Sequence, residues 1–267
     1  QHLSIAHTGV GKALLRNHRY ENALRHFRLG NDRTYYSKAF KKLRRQRIRA
    51  AFGVVMTILT IVVGGGLIGR TVYRHYHPVE EKAKRLQTAD TALLPQLRYS
   101  GHILAHPFDG YYDLRFVHGG NFGSAAILFA AFIASLLIKL QFTGFVFLDR
   151  DVETLNLFQE TLKIVAPFLL FIIANWTVTS ILDGKGNLRD IFIATVYALV
   201  PIVLVYAPLT AFSNVLVKEE EAFFRLLEIF PIVWAALLIF ISNLTIHQFT
   251  IAKTIGILIL TVITMAI

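Results

Sequence analysis

Six apolar runs, each long enough to cross a membrane, constrain this chain more than any other feature. A hydrocarbon core needs about 20 apolar residues in a helix that rises about 1.5 Å per residue. The runs are Phe52–Val72, Ser124–Leu148, Leu162–Leu182, Ile191–Phe212, Ala222–Ile246 and Thr254–Ile267. Backbone polar groups cannot stay unpaired in lipid, so these runs must be helices. The sequence therefore predicts an all-α, polytopic membrane protein with about six transmembrane helices.

The composition agrees with a membrane protein and excludes several kinds of site. Hydrophobic residues make up 54% of the chain, whereas an average soluble domain has about 45–50%. The absence of cysteine excludes disulfides, thiolate metal sites and a cysteine nucleophile. The formal net charge of +11 is carried mostly outside the apolar runs. Beside membrane helices, such charge favours anionic lipid headgroups over nucleic acid as the partner.

Residues 1–51 form a polar, basic segment that we predict to be a separate helical domain. The stretch His7–Gly30 predicts two helices joined by a turn near Asn17–Arg19, and it resembles one tetratricopeptide repeat. Four residues fall at the offsets where that repeat packs its two helices: Gly11, Tyr20, Ala23 and Phe27. A generic amphipathic hairpin gives a similar pattern. One repeat cannot bury its apolar face alone, so we expect further repeats upstream or another covering surface.

Six basic residues precede the first apolar run, and we call them the basic collar: Lys41, Lys42, Arg44, Arg45, Arg47 and Arg49. They belong to a third predicted helix that starts at Tyr35 and continues into the first transmembrane helix, residues 52–73. Long basic side chains at a hydrocarbon boundary reach toward phospholipid headgroups. We predict that the collar contacts anionic lipid or a partner protein. We predict no nucleic-acid binding, because no known binding module accompanies the charge.

Glycines in the first apolar run match two motifs with different meanings. The letters GGGLIG at 64–69 satisfy the dinucleotide-binding pattern, but that site needs a preceding strand and a βαβ unit. A run inside a membrane excludes it. Gly65 and Gly69 instead predict close packing against another membrane helix; a locally flexible helix is the alternative.

Residues 74–123 form a polar loop between the first two spans. Aromatic, apolar and charged residues alternate over Leu93–Leu114, which predicts a helix in the membrane interface and then a tight turn at Pro107–Gly110. His102 and His106 are one helical turn apart, but the signature of a zinc enzyme is incomplete around them. We therefore predict no metal, no cofactor and no catalytic site.

Several phrases of the sequence resemble the Yip1 family of membrane proteins. They are HPFDGYYDL at His106–Leu114, DGKGNLRDIF at Asp183–Phe192, YALVP at Tyr197–Pro201 and SNVL at Ser213–Leu216. The resemblance covers residues 92–267, and bacterial members with an added repeat segment and a leading span are nearest to this architecture. It implies a five-span, Yip1-like membrane domain at 124–267.

The orientation in the membrane depends on this resemblance. Basic residues flank the first span about equally on both sides, so the positive-inside rule does not decide. The resemblance implies that the segment before the five spans is cytoplasmic. Residues 74–123 are then inside a bacterial cytoplasmic membrane, and residues 1–51 are extracytoplasmic. Since the chain begins with Gln1 and stops within an apolar run, we also expect that the natural protein extends beyond both ends.

Four residues mark a candidate polar site within the spans: Lys139, Asn175, Pro201 and Pro208. Lys139 could extend to the interface or pair inside the bundle, while Asn175 is typical of hydrogen bonding between helices. The prolines remove backbone hydrogen bonds from the fourth span, and broken helices hold the substrate in many transporters. We expect no acidic residue in the spans that would couple ions to transport.

The resemblance implies a scaffold or adaptor that binds other membrane proteins, with an ABC-type transporter complex as one candidate partner. The helical repeat segment would supply a protein-binding surface. The alternative function is a small-solute channel or transporter that uses the proline-broken fourth span. Polar groups that converge on Pro201 would favour transport, whereas a closed apolar bundle would favour the scaffold.

Overall fold

The structure, a computed structural model, describes residues 2–48, 93–116, 121–148 and 156–266, and all regular elements in these ranges are helical. The chain divides into two compact units. The first includes residues 2–48 and two short segments, 144–147 and 214–221. The second includes the other described residues.

Three helices build most of the first unit: α1 (His2–Arg16), α2 (Tyr20–Leu29) and α3 (residues 33–48). The predicted helical hairpin is thereby confirmed. The core of the three helices is formed by the fully buried side chains of Ala23, Phe27 and Ala39. Gly11 allows the close approach of α1 and α2, because a Cβ atom there would lie 2.6 Å from Cε1 of Phe27. The Tyr35 ring stacks on Phe27, with 5.6 Å between centroids, and joins α3 to the hairpin.

Eight helices follow in the described part of the second unit. They are α4 (Leu93–Ala105), α5 (Pro107–Phe116), α6 (Phe122–Phe142), α7 (Leu157–Ile181), α8 (Leu188–Ala198), α9 (Val200–Ser213), α10 (Glu221–His247) and α11 (Ile251–Ala266). A short 3₁₀ turn, Lys218–Glu220, precedes α10 and belongs to the first unit. Helix α6 packs against α8 and α9, while α7 packs against α8 and α11.

Four of the described segments are long and apolar enough to cross a membrane: Phe122–Phe142, Leu157–Ile181, Leu188–Ser213 and Lys218–His247. A fifth apolar helix, Ile251–Ala266, has 16 residues. These helices confirm the prediction of an all-α, polytopic membrane protein. The predicted first span, residues 52–73, lies outside the described residues.

Two predicted boundaries are wrong. The second span was expected to reach Leu148, but α6 ends at Phe142, where Thr143 takes ψ 138° and leaves the helix. The tight turn expected at Pro107–Gly110 is the first turn of α5, and the chain bends at His106 instead. Proline suits the first position of a helix, where its missing N–H has no intrahelical partner to lose.

The fourth span is interrupted, as its prolines predicted, but only once. Helix α8 ends at Ala198 and α9 begins at Val200, with Leu199 between them. Pro201 cannot donate to the carbonyl of Tyr197, which explains a break at this point. Pro208 lies inside α9 without ending it.

Candidate functional site

An ion pair with two hydrogen bonds joins α3 to the segment 214–221 in the first unit. Both terminal nitrogens of Arg44 donate to the Glu220 carboxylate, each over 2.9 Å. The same guanidinium donates to the Val215 carbonyl oxygen over 2.9 Å. Such a two-point contact fixes the geometry of both partners. The hydrogen bond to Glu220 raises the pKa of Arg44 above its usual value.

Lys41 and Ser37 extend this contact one and two turns toward the start of α3. The Ser37 hydroxyl accepts a hydrogen bond from the backbone N–H of Lys218 over 2.7 Å and is itself buried. The Lys41 ammonium lies 3.5 Å from the Glu219 carboxylate. Ser37, Lys41 and Arg44 share one face of the helix. That face therefore contacts residues 214–221.

The basic collar is therefore divided. Lys41 and Arg44 pair with the acidic segment, and Arg47 pairs with Glu21 of α2 over 2.6 Å. Lys42 and Arg45 are exposed. Arg49 lies outside the described residues. Lipid contact by the collar remains a prediction, and the exposed side chains are its best candidates.

An ion pair inside the spans involves a residue that the sequence interpretation missed. The Lys139 ammonium of α6 pairs with the Glu228 carboxylate of α10. Arg225 also donates to Glu228, over 3.1 Å. The expectation that the spans carry no acidic residue is thus wrong. Glu228 could have been found from its spacing, because Arg225 precedes it by three residues on the same helix face.

Tyr206 of α9 completes this cluster. The Lys139 ammonium lies 4.3 Å from the centroid of the Tyr206 ring, a cation–π geometry. The Tyr206 hydroxyl donates to the backbone carbonyl of Glu228 over 3.2 Å. The cluster ties α6, α9 and α10 together. Since Lys139 is three residues before the end of α6 at Phe142, the cluster lies near one end of that span.

The other polar residues predicted within the spans are not brought to Lys139 by any contact that the structure describes. Asn175 is fully buried in α7, and its amide atoms have no hydrogen-bond partner among the described residues. The Thr179 and Ser242 hydroxyls bond to carbonyls of their own helices. Pro201 is buried at the start of α9.

A second cluster fixes the glycine-rich hairpin at 183–187. Arg115 of α5 donates to the Lys185 carbonyl, and the Gly186 N–H donates to Nδ1 of His247 over 3.2 Å. These two atoms belong to one peptide group, which is held from both ends. A Cβ atom at Gly186 would lie 2.7 Å from Cγ2 of Ile246, so only glycine fits without a shift.

Tyr197 of α8, in the fourth span, contacts both α4 and α6. Its hydroxyl lies 2.9 Å from the Ser124 hydroxyl of α6 and 3.2 Å from the carbonyl oxygen of Gln96 in α4. The side chain is almost fully buried. The 183–187 hairpin and Tyr197 thus place two of the phrases that carried the family resemblance at contacts between helices. Sequence inspection missed His247, since a single histidine at a span end carries no motif.

No group of three or more His, Asp or Glu side chains that could hold a metal ion occurs among the described residues. His102, in the last turn of α4, and His106, just after it, have 5.3 Å between their ring centroids, and both side chains are exposed. Gly65 and Gly69, predicted to pack against another helix, lie outside the described residues.

A protein-family model described as the Yip1 domain matches residues 101–267. Neither a curated protein nor a solved structure matches the chain.

Proposed function

This chain belongs to the Yip1 family of integral membrane proteins, and from that premise we propose that it is a scaffold or adaptor that binds other membrane proteins. The observation that carries the proposal is a unit of three helices with its own core, formed by Ala23, Phe27 and Ala39, on a chain with four described segments long and apolar enough to cross a membrane. Modules of paired helices bind partners through their outer surfaces.

Exposed apolar side chains at the start of α1 are the best candidates for this surface. Leu3 is 76% exposed and Ile5 is 71% exposed. Large apolar side chains with this exposure gain free energy when a partner covers them. We propose as well that residues 1–51 are a tetratricopeptide-like segment and that the protein is bacterial. The partner class is other membrane proteins, with subunits of an ABC-type transporter as the first candidate.

We test the scaffold function by purification of the full chain in mild detergent, followed by quantitative mass spectrometry of the retained membrane proteins. Leu3→Glu with Ile5→Glu should reduce retention of the partner at least about tenfold, because two charges would have to be desolvated in the contact. Asn22→Glu is the matched control, since it adds an acidic group at an exposed position of α2 and should leave retention unchanged. Equal retention by the double variant would contradict the proposal.

The proposed location is the bacterial cytoplasmic membrane, with residues 1–51 on the extracytoplasmic side. The contact of α3 with 214–221 supports part of this topology, because both segments must then lie on one side of the membrane. Single cysteines can be placed in this cysteine-free chain at Thr34 and at Ser100. An impermeant thiol reagent should label position 34 in intact cells, and position 100 only after the membrane is opened. The opposite pattern would reverse the orientation.

Transport of a small solute is the second candidate, and the interrupted fourth span favours it. The break at Leu199 leaves backbone groups near Pro201 outside the regular helix ladder. The pairing of Glu228 with Lys139 argues against an ion-coupled mechanism, because the carboxylate is already neutralised. Solute uptake into reconstituted vesicles that Pro201→Ala abolishes, with helix content unchanged, would favour transport over the scaffold.

A further inference from the structure

We propose that the contact between α3 and 214–221 is an electrostatic latch that anionic phospholipid opens. The latch consists of Ser37, Lys41 and Arg44 on α3, with Lys218, Glu219 and Glu220 opposite them. The inference deepens the proposed function, because it names the lipid partner of the collar and a way to regulate the hairpin.

The acidic side of the latch resembles the headgroup that would replace it. The Glu220 carboxylate meets the guanidinium fork of Arg44 with two oxygens, as a phosphate group does. The Glu219 carboxylate forms an ion pair with the Lys41 ammonium. A phospholipid phosphate therefore offers Lys41 and Arg44 the same kind of acceptor that the protein already gives them.

The position of the latch along the chain brings it to lipid. Lys218–Glu220 continues directly into α10, which begins at Glu221 and is apolar enough to span the membrane. Residues that immediately precede a span lie at the level of the headgroups. Here an anionic membrane surface attracts lysine and arginine side chains within about one Debye length, or about 8–10 Å.

A second basic face lets lipid approach while the latch is closed. Lys38, Lys42 and Arg45 are spaced by four and three residues, so they share one side of α3, and all three are exposed. They are not part of the contact with 214–221. Anionic lipid can bind this face first and then compete for the neighbouring Lys41 and Arg44.

The test uses two spin labels on the full chain in lipid nanodiscs. Cysteines replace Gln46, which is exposed on α3, and Val215, which is 48% exposed. In phosphatidylcholine we expect one short, narrow distance distribution. With half phosphatidylglycerol, the ratio of open to closed molecules should rise about tenfold, since at least two cations change partner. About 0.5 M salt in phosphatidylcholine should also open the latch by screening.

Charge variants separate the latch from a loss of folding. Arg44→Glu should be open in both lipids, whereas Arg44→Glu with Glu220→Arg should close again in phosphatidylcholine, which a loss of folding would not allow. Identical distance distributions of the wild type in the two lipids would overturn the proposal. A latch that responds to lipid, in a chain whose partner retention ignores the Leu3 and Ile5 substitutions, would instead refute the scaffold function and leave the latch standing.

Discussion

Glu220 and Glu228 each form an ion pair with a basic side chain from another helix, but the two pairs lie in different surroundings. Glu220 bonds Arg44 in the first unit, where 35% of its side chain stays exposed. Glu228 bonds Lys139 within a span, with 15% exposed. Water and salt screen the first pair, so it can be exchanged for another anion. The second pair lies near one end of α6 but is less exposed, so water and salt screen it less and it holds the helices together more firmly.

The largest effect is expected at Glu228. Glu228→Gln removes the carboxylate that Lys139 and Arg225 share. Breaking a buried ion pair costs about 3–5 kcal/mol, and because Glu228 and Lys139 are partly exposed we expect the lower end of this range, about 3 kcal/mol. Lys139→Met should cost less, because Arg225 still neutralises Glu228. Thermal unfolding in detergent, followed by loss of helical signal, measures both. The double variant combines Glu228→Gln with Lys139→Met. If it is no more stable than Glu228→Gln alone, the pair does not hold α6 against α10.

A smaller effect is expected where packing rather than charge fixes the structure. Gly186→Ala places a methyl group 2.7 Å from Ile246 and 2.8 Å from the His247 ring. Overpacking of this kind costs about 1–3 kcal/mol. Gly101→Ala is the matched control, because nothing lies within 4 Å of its Cβ position in α4, and it should stabilise that helix slightly. Equal melting temperatures of the two variants would contradict the tight fit of the hairpin.

The smallest effect is expected at Arg44 and Glu220. Partly exposed pairs contribute about 0.2–1 kcal/mol, even before salt is added. A double-mutant cycle with Arg44→Ala and Glu220→Ala should give a coupling energy in this range at low salt and close to zero at about 1 M salt. The cycle of Lys139 with Glu228 should change little over the same range. Equal salt sensitivity of the two cycles would remove the distinction between the regions.

The helices of this protein were accessible from local information. The apolar runs predicted Leu162–Leu182 and Ala222–Ile246 to within a few residues of α7 and α10, because hydrocarbon leaves the backbone no alternative to a helix. Gly11 and Phe27 predicted the hairpin by their spacing. The end of α6 at Phe142 was missed, since Gly144–Leu148 is apolar although it is not helical.

The partners of the charged residues were not accessible in the same way. Arg44 and Glu220 are 176 residues apart, and Lys139 and Glu228 come from different helices. A list of collar residues says how much charge is present, but it does not say which side chains face an acidic segment and which stay exposed. Glu228 lies inside the apolar run Ala222–Ile246, and the sequence does not show that it faces Lys139.

By itself, the sequence determined the all-helical membrane class, the family and the existence of a basic helix ahead of the spans, because hydrophobic length and local spacing are properties of neighbouring residues. Only the tertiary structure decided that Arg44 meets Glu220, that Glu228 neutralises Lys139, and that one peptide group of the 183–187 hairpin is held by Arg115 and His247. Each of these contacts depends on the packing of helices distant in the chain, and no local pattern records it.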